Sequence, residues 1–208
     1  MGVSIHYKGR LDDTARLPVL CDEIRDIADT INWPSTTLND DWLQAPDARL
    51  TGGGRVKGHL GLKGIQITPH PDSEPLALFF DRDGYLRSPM TMLMMLEGSL
   101  EPERAWVSMK TQFSSPDTHV WVIGLLKYLK KHYIPDLEVS DESGYWDTGN
   151  RAKLEEDMAL LDDKLNQLSG EISSGRLGNL SNLSADEIAA RIEQLFMPDK
   201  ECHPPLDA

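Results

Sequence analysis

The chain has little that would take it out of water or hold it together covalently. Its longest uninterrupted apolar stretch runs from Val120 to Leu126, far short of the roughly 20 residues that a membrane-spanning helix needs. The start, Met1 to His6, has neither the basic residues nor the apolar run of a signal peptide. His6 also stands where a myristoylation signal wants Ser or Thr. Only two cysteines occur, Cys21 and Cys202, one on the apolar stripe of a predicted helix and the other in a Pro-rich tail. A structural disulfide and a zinc finger are therefore both excluded as expectations. These absences point to a cytoplasmic protein with no membrane partner.

Cations are scarce in one part of the chain. From Asp136 onward there are 17 acidic and 6 basic residues, a net of −11, which leaves 17 acidic and 15 basic residues, a net of −2, in the first 135. The acidity argues against nucleic-acid binding by the last third, because neutralising phosphates takes Lys and Arg. The first two thirds remain able to carry a local basic site. No Gly-x-Ser-x-Gly, no Walker loop and no dinucleotide fingerprint is present. No cofactor is implied.

What is there is periodicity. Val3, Ile5 and Tyr7 alternate with Ser4, His6 and Lys8, and Ala105 to Phe113 alternates in the same way, so both segments read as half-buried strands. Leu17, Leu20, Cys21, Ile24, Ala28 and Ile31 recur at three- and four-residue steps and predict a helix with Pro18 in its first turn. Ser88-Pro89 and Ser115-Pro116-Asp117 each open a further helix. Leu60 to Thr68, Leu76 to Phe80 and Leu137 to Asp141 are candidate strands, and 33–59 reads as irregular. Together these predict an α+β fold with a mainly antiparallel sheet, helices on one face, and an order reminiscent of split βαβ folds. The predicted division is a 1–147 domain, a 148–198 helical appendage and a disordered 199–208 tail. In the appendage, Leu154, Met158, Leu161, Leu165 and Leu168 form a heptad seam on a helix over 150–172. A Gly/Ser-rich connector follows, then a capping box at Ser184 to Glu187 that opens a helix over 184–196.

Several groupings carry chemistry. If the two alternating strands share a sheet, His6, Lys8 and Arg10 lie with Trp106, Lys110 and Gln112 on one polar face, a platform for a small anionic ligand or for bases. The 49–64 loop has Arg49, Arg55, Lys57 and Lys63, six glycines and no acid, so Arg55 and Lys57 are phosphate-binding candidates. His70 and Asp72 are metal candidates that would need ligands from elsewhere, such as His6 or Asp40. Asp141 to Asp147 pairs carboxylates with Tyr145 and Trp146 beside a turn, and His119 falls in the first turn of the Ser115 helix. Both read first as structural.

The sequence points first to a non-catalytic binding or assembly protein, a homodimer or a partner-docking protein acting through its acidic C-terminal helices. The alternatives are a hydrolase or phosphate-handling enzyme using the 49–64 loop with His70/Asp72, and a nucleic-acid accessory protein using Lys8, Arg10 and Lys110.

Overall fold

The computed structural model describes residues 3–173 and, beyond them, Ser184, Asp186 and Glu187. The predicted helix over 184–196, its connector, the tail and Cys202 thus lie wholly or almost wholly outside the described residues. Two units are distinguished, Met1–Met158 and Ala159–Ala208.

The first unit is α+β, and all its strand pairs are antiparallel. Strand β1 (Ser4–Lys8) leads through a 3₁₀ turn into helix α1 (Leu17–Thr30), with Pro18 in the first turn. Then come β2 (Ser35–Asn39), the hairpin β3 (Arg49–Thr51) and β4 (Arg55–Lys57), β5 (Lys63–Ile67), β6 (Leu76–Phe80) and β7 (Leu86–Arg87). Helix α2 (Pro89–Leu96) starts at a capping box in which Ser88 and Thr91 bond reciprocally. Strand β8 (Val107–Lys110), helix α3 (Pro116–His132), β9 (Glu138–Asp141), the single turn α4 (Tyr145–Thr148) and helix α5 (Arg151–Ser173) complete the order. Ser115 caps α3 by accepting from the Thr118 N–H, and Lys130, Lys131 and His132 sit in its last turn, where the helix dipole favours cations.

The single split-βαβ sheet expected from the order of elements is not what forms. The strands sort into three sheets, β8-β1-β9, β2-β5-β6-β7 and the β3-β4 hairpin. The reason lies after β1. Beyond Lys8, Leu11 N–H donates to Gly84 O while Leu86 N–H donates to Gly9 O. One chain segment therefore pairs with both large sheets. Gly9 permits the crossing, since a Cβ there would lie 2.6 Å from Ile134 Cγ2. Ser35–Asn39 was not anticipated as a strand because Ser-Thr-Thr carries no apolar alternation; it is an edge strand whose residues are half-buried or exposed.

One hydrophobic core joins Ile5 and Tyr7 of β1, the fully buried β6, Leu20 and Ile24 of α1, and Val122, Leu126 and Leu129 of α3. A smaller cluster seats Leu154 and Met158 of α5 on Val3, with Val120 and Tyr145 at its edge. Among the described residues no helix is long and apolar enough to cross a membrane.

Cys21 is half-buried, less enclosed than its place on the stripe suggests. Burial pushes its thiol up to about 11 from its ordinary value near 9. The thiolate is the reacting species, so labelling of Cys21 by a thiol reagent at about pH 8 should run roughly a hundredfold slower than that of a free thiol. Labelling as fast as that of glutathione would show that the thiol is not held this way.

Candidate functional site

Pairing of β1 with both neighbours sets out a polar sheet face. Ser4 faces Lys110, His6 faces Ser108 and Ser140, and Lys8 faces Glu138. The expected platform is therefore assembled in part, and β9 adds carboxylates to it. His6 Nδ1 lies 2.7 Å from Ser108 Oγ, and Nε2 lies 3.7 Å from Glu142. Lys8 Nζ is 3.3 Å from Glu138 and 4.7 Å from the centre of the Trp106 ring. The Lys110 N–H donates to Glu74 Oε2. Gln112 does not belong to this face. The chain turns after Lys110, with Ser114 N–H bonding Thr111 O, so the alternation breaks and Gln112 is buried, its Oε1 accepting from Val3 N–H at 3.4 Å.

Arg10 lies past the end of β1, in the stretch that pairs with the other sheet. Its Nε donates to Asp83 O, and its guanidinium stands 5.1 Å from the centre of the Tyr85 ring. At that junction is a cleft of about 330 Å³, lined by Lys8, Tyr85, Arg87, Glu103, Asp136 and Glu138 among others. Sequence reading missed Tyr85 and Arg87. Their signals were slight: an aromatic just after the Asp83-Gly84 turn, and a lone cation between a buried leucine and the Ser88 cap.

Much of the glycine-rich 49–64 segment has a regular backbone. It folds as the β3-β4 hairpin, with Arg49 facing Lys57 and Thr51 facing Arg55. Arg49, Arg55 and Lys57 are exposed on these two strands. Gly64 answers to packing: it has φ +146° and lies so close to the Leu78 carbonyl that a Cβ would overlap it, whereas a Cβ at Gly52, Gly53 or Gly54 would meet nothing within 4 Å. Lys63 turns elsewhere, over Trp42 at 4.9 Å. Arg49, Arg55 and Lys57 form no ion pair among the described residues.

His70 and Asp72 come together only locally. Asp72 N–H donates to His70 Nδ1 at 3.1 Å, and the Asp72 carboxylate lies 3.7 Å from the same nitrogen. Asp40 is occupied elsewhere, accepting from the Leu60 and Leu62 N–H groups. Among the described residues no group of three or more His, Cys, Asp or Glu is placed to hold a metal ion. No hydrogen bond or ion pair joins His6, His70, Asp40 and the Lys110 side chain.

A buried polar network does join two groups that the sequence left apart. His119 of α3 and Asp141 of β9 have side chains with no solvent exposure, and Nε2 stands 3.2 Å from Asp141 Oδ2. Ser143 Oγ donates to Asp141 Oδ1 at 2.8 Å and lies 3.3 Å from the same His119 nitrogen. Thr111 Oγ1 is 2.8 Å from His119 Nδ1. Asp141 further accepts from the N–H groups of Ser143 and Trp146. Burial pushes its carboxyl up, but the His119 hydrogen bond and charge, with the Trp146 N–H and the Ser143 hydroxyl, outweigh this and hold it at about 2. The three residue types match a hydrolytic triad and the wiring does not. In a triad the acid and the hydroxyl use opposite imidazole nitrogens, whereas here both sit at Nε2 and the serine proton points to the carboxylate. The network pins the 141–146 turn to α3.

On the far side of α3 an apolar groove of about 480 Å³ is lined by Ile27, Ile31, Trp33, Val120, Trp121 and Tyr128, among others. Trp121 is 57% exposed and meets Trp33 edge-on, with ring centres 6.2 Å apart. Of the seam residues, Leu154 and Met158 are buried within the first unit against Val3. The side chains of Leu161, Leu165 and Leu168 lie outside the described residues.

Comparison with protein-family models, with curated proteins and with solved structures finds no match to this chain.

Proposed function

We propose that the protein is a non-catalytic binding and assembly protein of the cytoplasm that forms a homodimer, with its contact centred on the α1/α3 groove and continued by the start of α5. The observation that carries this reading is the exposed Trp121 on the wall of an apolar groove. Large exposed aromatics at such sites mark interfaces. A second copy suits the groove because its surroundings carry both signs: Glu23 accepts from Tyr128 Oη, and Arg151 bridges Asp117 and Glu155. A two-fold contact can set such charges against one another. A stable dimer buries roughly 800 Å² per partner, more than the groove supplies, and α5 adds to it. Val120 lines the groove and also touches the Leu154/Met158 cluster, so α5 begins beside it.

Light scattering over a concentration series tests this. The wild type is expected to be dimeric. Trp121→Glu should weaken the dimer about thirtyfold, the loss of one interfacial hot spot of about 2 kcal/mol. Because α5 carries Glu155, Glu156 and Asp157 against Arg151 and Lys153 in its first turns, a net of −1 that a second copy would meet with its own −1, raising salt to physiological strength should tighten the dimer. A wild type that stays monomeric at every concentration in low and moderate salt would end the reading. Dissociation by Leu161→Glu/Leu165→Glu but not by Trp121→Glu would move the contact to the seam.

A further inference from the structure

The cleft between the β1 crossing and β7 holds an unusual cation. Arg87 is only 6% exposed. Its Nε donates to Asp81 Oδ2 at 3.1 Å and its Nη1 to Pro102 O at 3.0 Å. These two bonds fix the guanidinium rigidly, and Asp81 is itself fixed because it also accepts from the Asp83 and Tyr85 N–H groups. The third nitrogen, Nη2, has no acceptor among the described residues, and it is not one of the unpartnered atoms sealed from solvent. A buried guanidinium with two nitrogens anchored and one left over on a cleft wall is a preorganised donor for an oxyanion.

The rest of the wall says what else the ligand must carry. Lys8 stands on the same wall, partly neutralised by Glu138. Glu103 is exposed, and Asp136 uses only Oδ1, on the Arg10 N–H at 2.9 Å. A plain anion would meet the carboxylates of Glu103, Asp136 and Glu138, and a plain cation would meet Arg87 and Lys8. A ligand bearing both charges meets complementary groups. Tyr85 adds an aromatic wall: the residue is 41% exposed, and the guanidiniums of Arg10 and Arg87 stand 5.1 and 5.2 Å from its ring centre. About 330 Å³ is room for one small molecule.

We infer that this cleft binds a free α-amino acid, its carboxylate on Arg87 Nη2 and Lys8, its ammonium toward Asp136 and Glu103, and its side chain against Tyr85. The site is independent of the dimer contact. It makes the protein a small-molecule binder as well as an assembly unit.

Titration calorimetry and amide NMR on the full chain test this, using each of the common amino acids in turn. For any that binds, the matching carboxylic acid without the amine and the matching amine without the carboxylate follow. The expected result is saturable binding of at least one amino acid, with shifts at Tyr85 and Arg87 and both truncated analogues weaker by about tenfold or more. Arg87→Lys breaks two structural bonds and risks the fold, so the deciding variants are Tyr85→Ala and Glu103→Gln, both at exposed side chains. Each should weaken binding about tenfold, and Glu103→Gln should do so while leaving the melting temperature unchanged. Absence of binding by every amino acid would overturn the inference. So would a deaminated acid that binds as tightly as its parent, or unchanged affinity in both variants.

Discussion

Asp141→Ala is expected to destabilise the protein by about 3–5 kcal/mol, because it leaves several buried polar groups without an acceptor, at about 1–3 kcal/mol each. The loss has several sources at one place. The variant leaves His119 Nε2, the Ser143 hydroxyl and the N–H groups of Ser143 and Trp146 without the acceptor they share. Against a total stability of about 5–15 kcal/mol, this puts the folded state near its limit, and urea melts at neutral pH should show it directly. A pH series isolates the carboxylate. Its folded value of about 2 lies below the ordinary one, so its contribution is fully present above the usual carboxylate range. It is lost as pH falls from about 4 through 2. A shift of this size is worth about 2–3 kcal/mol. The wild type should lose that amount over this window and Asp141→Asn should not. Parallel losses in the two proteins would remove Asp141 as the source.

Tyr7→Phe should cost about 2–4 kcal/mol although it deletes a single oxygen. The Tyr7 hydroxyl, in the core, donates to Ala77 O at 2.8 Å and accepts from Ala77 N–H at 3.1 Å. Ala77 lies on β6 beyond the reach of β7, which pairs only with Phe79 and Phe80. The phenol thus takes the place of a missing neighbour strand for one residue. Phenylalanine would fill the same volume and leave a donor and an acceptor buried without partners, at about 1–3 kcal/mol each. Burial pushes the Tyr7 phenol well above its ordinary value, so its absorbance should not titrate until the protein unfolds in alkali. A cost below about 0.5 kcal/mol in denaturant melts would mean that water reaches Ala77 in the variant.

Much of this fold was legible along the chain. Alternation located β1 and β8, and Ser-Pro openings located α2 and α3, because both signals depend on residues a few positions apart. Pairing was not legible. That β1 lies between β8 and β9, and that its continuation joins a second sheet, depends on contacts more than 70 residues apart. Gln112 was placed on the wrong side because period two was carried past the point where the strand ends. The site was harder still. His119 sits three and seven positions before Val122 and Leu126, on the apolar stripe of α3; a polar residue there announces a buried partner without saying which. Arg87 gave no comparable sign, since one cation in a two-residue strand has no period to break.

The crossing of β1 also bears on how the chain is made. Its partners at Met109 and Asp141 are synthesised long after Ile5. At about 5–20 residues per second, the ribosome exposes the first strand for on the order of ten seconds before its sheet can close. During that wait an apolar face and two open edges are available to other chains. Because Gly9 to Leu11 also pairs with Gly84 to Leu86, the second sheet can close on the chain beyond β1 once Arg87 is made, while the first still waits for β8 and β9. Both close around the same strand, a high-contact-order topology of the kind that folds slowly. A nascent chain of this design depends on whatever holds β1 until β9 emerges.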